Sequence, residues 1–261
     1  MVSDKNEKQH RRIDFFEDFF IETASRAEVG RMCAFHYRSQ SRQPYAAAWK
    51  ISRKPLFHDR SGSVLVGIIT YAMPLLNCAP RCQAAGDCFC AGDKKARLMR
   101  LNRSVRRISR VVIDPRFRGL GLAGRLVAQT MPLLNIPMIE TISAMGAWGH
   151  FFERAGMRRI EIPPRPQAQS LSAELTSLGI PPTFWHDAAE VHKRMENLPA
   201  PCRRRLEKAF RRFLGAYGRR RQMPGGLERT RFVLSRLNAC PAYYVWFNPR
   251  YPLREGLVRT G

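Results

Sequence analysis

Arg118-Gly119-Leu120-Gly121-Leu122-Ala123 is the stretch whose residue types point most directly to chemistry. Two glycines within three residues let main-chain N–H groups come close to a ligand. Helical spacing begins immediately afterwards, so the loop opens onto the positive end of a helix. Phosphates bind such helix N-termini; the bland alternative is a tight turn that holds nothing. A second set is Cys78, Cys82, Cys88 and Cys90, four thiols within thirteen residues, enough for a tetrahedral zinc site. Their spacing, three intervening residues and then one, departs from the two-residue separation of zinc knuckles, and reduced cysteines in a loop are the other reading. A third set is cationic. Lys94, Lys95, Arg97, Arg100, Arg103, Arg106, Arg107 and Arg110 form an acid-free run. Arg203, Arg204, Arg205, Lys208, Arg211, Arg212, Arg219, Arg220 and Arg221 form a second cationic run. Both runs suit a phosphate-lined partner, with solvated arginine faces as the alternative.

The glycine loop needs a strand before it and a helix after it. Val111, Val112 and Ile113 favour extended backbone until Pro115 ends regular pairing. Leu122, Leu126, Val127 and Met131 then recur at helical spacing, so one face packs on a sheet while the first turn meets the ligand. Upstream, residues from about Phe15 to Gly30 read as a helix, and 46–52 with 62–71 read as a hairpin. Met138-Ile-Glu-Thr-Ile-Ser143 reads as the strand that follows the loop's helix. Pro163, Pro164 and Pro166 interrupt regular structure. Residues 169–179, 183–198, 201–217 and 227–237 have helical patterning, and Ala242–Phe247 reads as a returning strand. The expected division is an N-terminal helical segment at 1–30, an α/β domain at 31–162 with a cysteine-rich insertion at 77–95, and a basic, mainly helical region at 163–261.

Strand, Arg-x-x-Gly-x-Ala loop and helix, matched here by Arg118, Gly121 and Ala123, resemble motif A of the GNAT N-acetyltransferase superfamily. Phe151-Phe-Glu-Arg-Ala-Gly-Met157 is similar to the segment that ends the cofactor-binding half of those enzymes. A phosphate-binding P-loop and a dinucleotide fingerprint are both absent. The resemblance spans roughly residues 30 to 160. It implies the GNAT acyl-CoA N-acyltransferase fold, an α/β architecture with a mixed, splayed central sheet and flanking helices. It also implies acetyl-CoA or another acyl-CoA as cofactor, contacted by Ile113, Arg118, Gly119, Leu120, Gly121, Leu122 and Ala123 and by Ser143 on the splayed strand. Glu140 and Ser143 have odd separation, so at most one faces the cleft.

Acyl transfer from a thioester needs an unprotonated amine, a donor for the oxyanion and a proton for the departing thiolate. Most of the superfamily draws that proton from a tyrosine in the second motif, where this chain has Phe151-Phe152. His150, His36 and Tyr37 are the substitutes, all able to move protons near neutral pH or above, with packing as the alternative for each. Ala34-Phe-His-Tyr-Arg38, together with both motifs, is similar to a narrower group that includes ABC-ATPase-associated GNAT domains and Mom-type phage DNA-modification proteins. In the Mom type a His-Tyr pair is tied to an adenine modification, and His36-Tyr37 is the matching pair.

Charge bounds the partner. Lys and Arg number 45 against 21 Asp and Glu, a net +24. Nucleic acid, DNA foremost, is the expected partner, with contacts from Arg97, Arg100, Arg103, Arg106, Arg107, Arg204, Arg205, Lys208, Arg211 and Arg212. Acidic protein and membrane lipid are lesser readings. No stretch approaches a membrane span and the start lacks a secretion signal's apolar core, so a cytoplasmic protein, in which disulfides are disfavoured, is expected. Three functions follow: an acyltransferase acting on a nucleobase or a nucleic-acid-associated amine, an ordinary small-molecule or protein N-acetyltransferase, and a non-catalytic nucleic-acid binder that keeps the fold.

Overall fold

A computed structural model describes residues 15–35, 44–55, 62–89, 92–144, 146, 149–239 and 241–251. Two compact units emerge: the described residues of 1–141, 150–159 and 244–261 form the first, and those of 142–149 and 160–243 the second.

The elements run β1 Phe19–Thr23, α1 Arg26–Cys33, β2 Ala47–Arg53, β3 Val64–Ala72, α2 Ala79–Ala85, α3 Lys94–Ser104, β4 Val105–Ile113 and α4 Leu122–Thr130. They continue with β5 Met138–Ser143, α5 Phe151–Arg154, β6 Arg158–Glu161, α6 Pro166–Ser177, α7 Ala188–Glu196, α8 Ala200–Leu214, α9 Leu227–Leu237 and β7 Ala242–Phe247. Among the described residues the strands form one seven-stranded sheet in the order β1-β2-β3-β4-β5-β7-β6. The first four strands pair antiparallel and β4 pairs parallel with β5, which makes the sheet mixed.

β3 is the hub of the sheet. Val66, Ile68, Ile69 and Tyr71 are fully buried, as expected of a strand covered on both faces. Ile68 packs with Val29, Met32 and Cys33 of α1, and Val112 of β4 joins the same cluster. The Tyr71 hydroxyl meets the Thr130 hydroxyl of α4 at 2.7 Å. At Gly67 a Cβ would stand 2.5 Å from Ile113 Cδ1 and 2.9 Å from the Val112 carbonyl oxygen, so only glycine lets β3 approach the end of β4 this closely.

The helix expected from Phe15 to Gly30 is corrected. Phe15–Asp18 is a single 3-10 turn and Phe19–Thr23 is an edge strand paired with β2. Phe15, Phe16, Phe19 and Phe20 repeat at a helix-like interval, but tertiary pairing of an aromatic-rich run outweighs that local pattern. The helix starts only at Arg26, where Ser25 and Glu28 form a reciprocal capping box. Lys50 of β2 locks this corner, reaching Glu22 at 3.0 Å and Glu28 at 2.6 Å.

In the second unit α6, α8 and α9 surround a core of Leu171, Leu175, Leu206, Phe210, Phe213 and Val233. The apolar seam of α8 is therefore packing, as its spacing implied. Trp185 closes the core and donates its indole N–H to the Ile180 carbonyl at 3.0 Å.

Candidate active site

The site is built on the passage from β4 to α4. Asp114 is buried just past the strand; its main-chain N–H donates to the Val66 carbonyl at 2.8 Å, which fixes where β4 ends. Its carboxylate accepts from the Arg116 main-chain N–H at 2.9 Å and from the Arg116 guanidinium at 2.8 and 3.1 Å. That arginine holds the Asp114 carboxyl below the usual carboxylate range. A 3-10 turn, Pro115–Phe117, follows. Arg118 then folds back and donates through Nε to the Ile113 carbonyl at 3.1 Å and through Nη2 to the Phe35 carbonyl at 3.3 Å. This arginine braces the loop against the strand it left and against the end of α1.

Gly119 at φ 85° and Gly121 at φ 77° both occupy left-handed backbone that favours glycine. Gly121 is the N-cap of α4 and its carbonyl accepts the helix's first hydrogen bond, from Arg125 N–H at 3.2 Å. Helix geometry leaves the N–H groups of Leu122, Ala123 and Gly124 without intrahelical acceptors. Beside Gly119, nothing stands within 4 Å of where a Cβ would be, and at Gly121 the nearest atom is Phe16 Cζ at 4.0 Å. Orphan donors, a helix dipole and open space without side chains fit a diphosphate. Arg125 anchors the helix from outside, donating to the Phe16 and Phe19 carbonyls at 3.0 and 3.4 Å with its guanidinium 5.0 Å from the Phe16 ring centre.

Pairing of β4 with β5 runs from Val105–Met138 to Arg107–Glu140. Directly after it β4 carries a bulge: Thr70 of β3 faces Arg110 and Tyr71 faces Ile108, so Ser109 is the extra residue. Its hydroxyl lies 2.8 Å from that of Thr70. Thr141 of β5 meets β4 through its side chain, the hydroxyl donating to the Ile108 carbonyl at 3.0 Å. The bulge thus bends β4 at the level where its main-chain partnership with β5 gives way.

Ile113, Arg118, Gly119, Leu120, Gly121, Leu122 and Ala123 are contiguous at this junction, and Ser143 sits half-buried at the end of β5. Glu140 is buried, its carboxylate held by the Arg81 guanidinium at 2.8 and 2.5 Å, with exposures of 2% and 1% for the two side chains. It is a structural anchor for α2. His36 and Tyr37 lie outside the described residues. His150 is the exposed N-cap of α5, with Nδ1 2.8 Å from the Glu153 carboxylate.

Sequence reasoning missed Tyr244. A Cβ on Gly124 would meet the Phe151 carbonyl at 3.4 Å, so the start of α5 abuts the first turn of α4. Phe151 stacks on Phe152 at 4.1 Å, and Phe152 on Tyr244 of β7 at 5.0 Å. A phenol therefore reaches the aromatic pair from a strand about ninety residues downstream. Burial pushes the Tyr244 hydroxyl above its ordinary range and the Glu153 carboxylate adds to this, with Arg159 opposing. Only the tyrosine-rich Ala242–Phe247 run hinted at it.

The four-cysteine zinc set is corrected. Cys82 is disulfide-bonded, so its sulfur is not a thiolate ligand, and Cys78 is a free thiol. The bond also runs against the expectation of reduced cysteines. The Cys88 and Cys90 side chains lie outside the described residues. Among those described, no group of three or more His, Cys, Asp or Glu could hold a metal ion. Burial pushes the Cys78 thiol up, and the nearby Glu140 carboxylate adds to it.

The arginines of the first basic run are largely engaged. Arg106 donates to the Asn102 and Val105 carbonyls at 2.6 and 2.8 Å, Arg107 is half-buried on β4, and Arg110 contacts Cys33 Sγ at 2.7 Å. Arg97 is half-buried, whereas Arg100 and Arg103 are exposed on α3. In the second run Arg205 pairs with Glu174, and Arg211 lies 3.2 Å from Glu207. Arg204, Lys208 and Arg212 are exposed on α8.

No protein-family model matches the chain, and no curated protein matches it. Among solved structures it is similar to a chain of the NatC complex bound to Gag peptide and CoA, at 14% identity over 55% of this chain and 87% of that one, with a TM-score of 0.34. It is also similar to a spermidine N-acetyltransferase chimera of Vibrio cholerae SpeG and hSSAT, at 12% identity over 56% and 83%, with a TM-score of 0.30. Overlap this low is a likeness only. The mixed α/β sheet with flanking helices is the fold class expected from the motif resemblance. Among the described residues no helix is long and apolar enough to cross a membrane.

Proposed function

We propose that the chain is an acyl-CoA-dependent N-acyltransferase. The observation that carries this reading is the open, side-chain-free cradle at Gly119–Gly121, aimed by β4 onto the first turn of α4. The N–H groups of Leu122, Ala123 and Gly124 would hold the pyrophosphate of acyl-CoA, with Arg118 keeping the loop in shape. When bound, acyl-CoA supplies a thioester carbonyl to an unprotonated amine. Main-chain N–H groups near the bulge of β4 are the oxyanion donors this reading assigns. Tyr244, protonated at neutral pH, is the candidate proton donor, in place of a tyrosine at the Phe151-Phe152 pair.

A finer reading places the acceptor on nucleic acid, a nucleobase or an amine of a bound protein, as the likeness of His36-Tyr37 to Mom-type proteins suggests. The exposed cations of α8 support it, since a polyanionic acceptor complements them. The test is release of free CoA from acetyl-CoA with duplex DNA, a polyamine or a lysine peptide as acceptor. Release with none of them, beside CoA binding by calorimetry, leaves the non-catalytic reading; no CoA binding at all removes the acyltransferase reading. Release with DNA alone supports the finer reading, and release with the amines alone supports the ordinary enzyme.

A further inference from the structure

The carboxylates on and capping the helices of the second unit serve its own architecture. Glu174 of α6 pairs with Arg205 of α8, and Glu207 of α8 pairs with Arg229 of α9 at 2.6 Å. Glu190 holds Arg194 at 2.7 Å, Glu228 holds Arg231, and Glu196 lies 3.3 Å from His192. Asp187 caps α7, accepting from the Ala189 and Glu190 N–H groups at 2.9 and 3.1 Å. Among the described residues no carboxylate is left for Arg203, Arg204, Lys208 or Arg212 on α8, nor for Arg219 or Arg221 in the 3-10 turn Gly218–Gln222 that follows it. All six cations are exposed.

Their placement is regular. Leu206, Phe210, Phe213 and Leu214 take the buried face of α8. Arg204, Lys208 and Arg212 recur every fourth residue on the opposite side, a ridge about 12 Å long at 1.5 Å per residue. Arg203, Arg204, Lys208 and Arg211 also line a shallow surface depression of about 530 Å³ with Ala200 and Glu207. A ridge of cations with no internal counterions is under electrostatic self-repulsion, which a polyanion relieves. The aromatic rings of this helix are turned away: Phe210 and Phe213 are buried, and Tyr217 stacks on Phe213 at 5.1 Å and against Phe232 at 5.6 Å. The ridge therefore offers no platform for a splayed single-stranded base, and contact with the backbone of a duplex is what its chemistry allows.

We propose that the α8 ridge, continued by Arg219 and Arg221, is a duplex nucleic-acid surface that grips phosphates without reading bases. This deepens the nucleic-acid reading above by naming the surface, yet it concerns the helical unit alone and stands whether or not the first unit transfers acyl groups.

The test uses the full chain and a 20-base-pair duplex DNA, with fluorescence anisotropy across a salt series. If each of the three ridge cations meets one phosphate, Arg204→Gln/Lys208→Gln/Arg212→Gln should flatten the slope of log affinity against log salt by about 3. At 0.15 M salt the same contacts amount to roughly 100-fold in affinity. Thermal melting should be unchanged, since all three side chains are exposed, and CoA affinity should be unchanged as well. Arg219→Gln/Arg221→Gln, outside any α-helix, is a second variant expected to weaken binding in the same direction. Lys94→Gln/Lys95→Gln/Arg103→Gln on α3 removes the same charge elsewhere and should keep most of the affinity. Wild-type binding by both α8-side variants would overturn the proposal, as would an equal loss in the α3 control. Salt-sensitive binding to phosphatidylserine vesicles without binding to the duplex would also overturn it, making the ridge a lipid surface.

Discussion

Substitution at Gly121 separates backbone strain from exclusion of a ligand. Gly121 caps α4 at φ 77° and ψ 0°, left-handed backbone where an L-residue other than glycine is strained by about 1–2 kcal/mol. An alanine Cβ would stand 4.0 Å from Phe16 Cζ, ordinary contact distance, so no clash adds to that strain. Gly121→Ala should therefore lose about 1–2 kcal/mol in urea unfolding and little more. Binding should respond differently. A phosphate on two first-turn N–H groups draws on charge-assisted hydrogen bonds of about 1.5–3 kcal/mol each, so displacing it from both weakens CoA affinity by roughly 10²–10⁴-fold. Gly121→Glu brings bulk and a negative charge and should approach that limit. Calorimetric titration with CoA, beside urea melts of the three proteins, makes the comparison. Unchanged CoA affinity in a folded Gly121→Glu protein would refute the cradle. A stability loss well above about 2 kcal/mol in Gly121→Ala would mean that the left-handed φ is not the whole constraint.

Arg81→Met should destabilise by about 3–5 kcal/mol, because it strips the buried Glu140 carboxylate of its two guanidinium hydrogen bonds, while Arg81→Met/Glu140→Leu should recover most of that loss in chemical unfolding. Recovery absent from the double variant would mean that bonds of the guanidinium outside the pair, such as that to the Leu75 carbonyl at 2.7 Å, matter more than the charge pair. Tyr244→Phe should lower acyl-transfer turnover by about 10²-fold, the lower end of general-acid effects, with CoA affinity intact and the alkaline limb of the pH profile altered; turnover equal to wild type would remove Tyr244 as proton donor. The Lys50 ammonium holds Glu28 at about 2, against an ordinary 4.5. A depressed carboxyl gives stability that is present above pH 4.5 and lost as pH falls toward 2. Lys50→Met should therefore remove most of the acid sensitivity in that window, as read from melting temperature against pH, and an unchanged profile would contradict the pairing.

What was legible in the sequence was what short-range pattern encodes. Val111–Ile113, the glycine loop and the Leu122, Leu126, Val127 and Met131 stripe lie within about twenty residues, and each does locally what its spacing requires. The seam of α8 and the strand Ala242–Phe247 were readable for the same reason. Arg81 and Glu140 are 59 residues apart, and no periodicity joins them. One signal was present: Arg81 is the only cation between residues 72 and 93, alone among small and apolar residues, which is how an arginine destined for burial with a partner looks. The Phe19–Thr23 strand was hidden because its aromatic spacing also fits a helix, and only pairing with β2 decides between the two.

The two arginine runs make the same point about function. In sequence they are equivalent, dense in cation and poor in acid. Folding distinguishes them: Arg106, at the start of β4, reaches back to close the end of α3, Arg107 is half-buried beside Glu140, and Arg110 is turned toward Cys33. Around α8, by contrast, Glu174 and Glu207 are drawn into helix packing, and the cations of the outward ridge remain at the surface. Net charge announces an affinity for polyanions. Where that affinity acts is set by which arginines the fold consumes, so it depends on tertiary pairing that no composition reports. It follows that equal removals of charge from α3 and from α8 should have unequal effects on duplex binding.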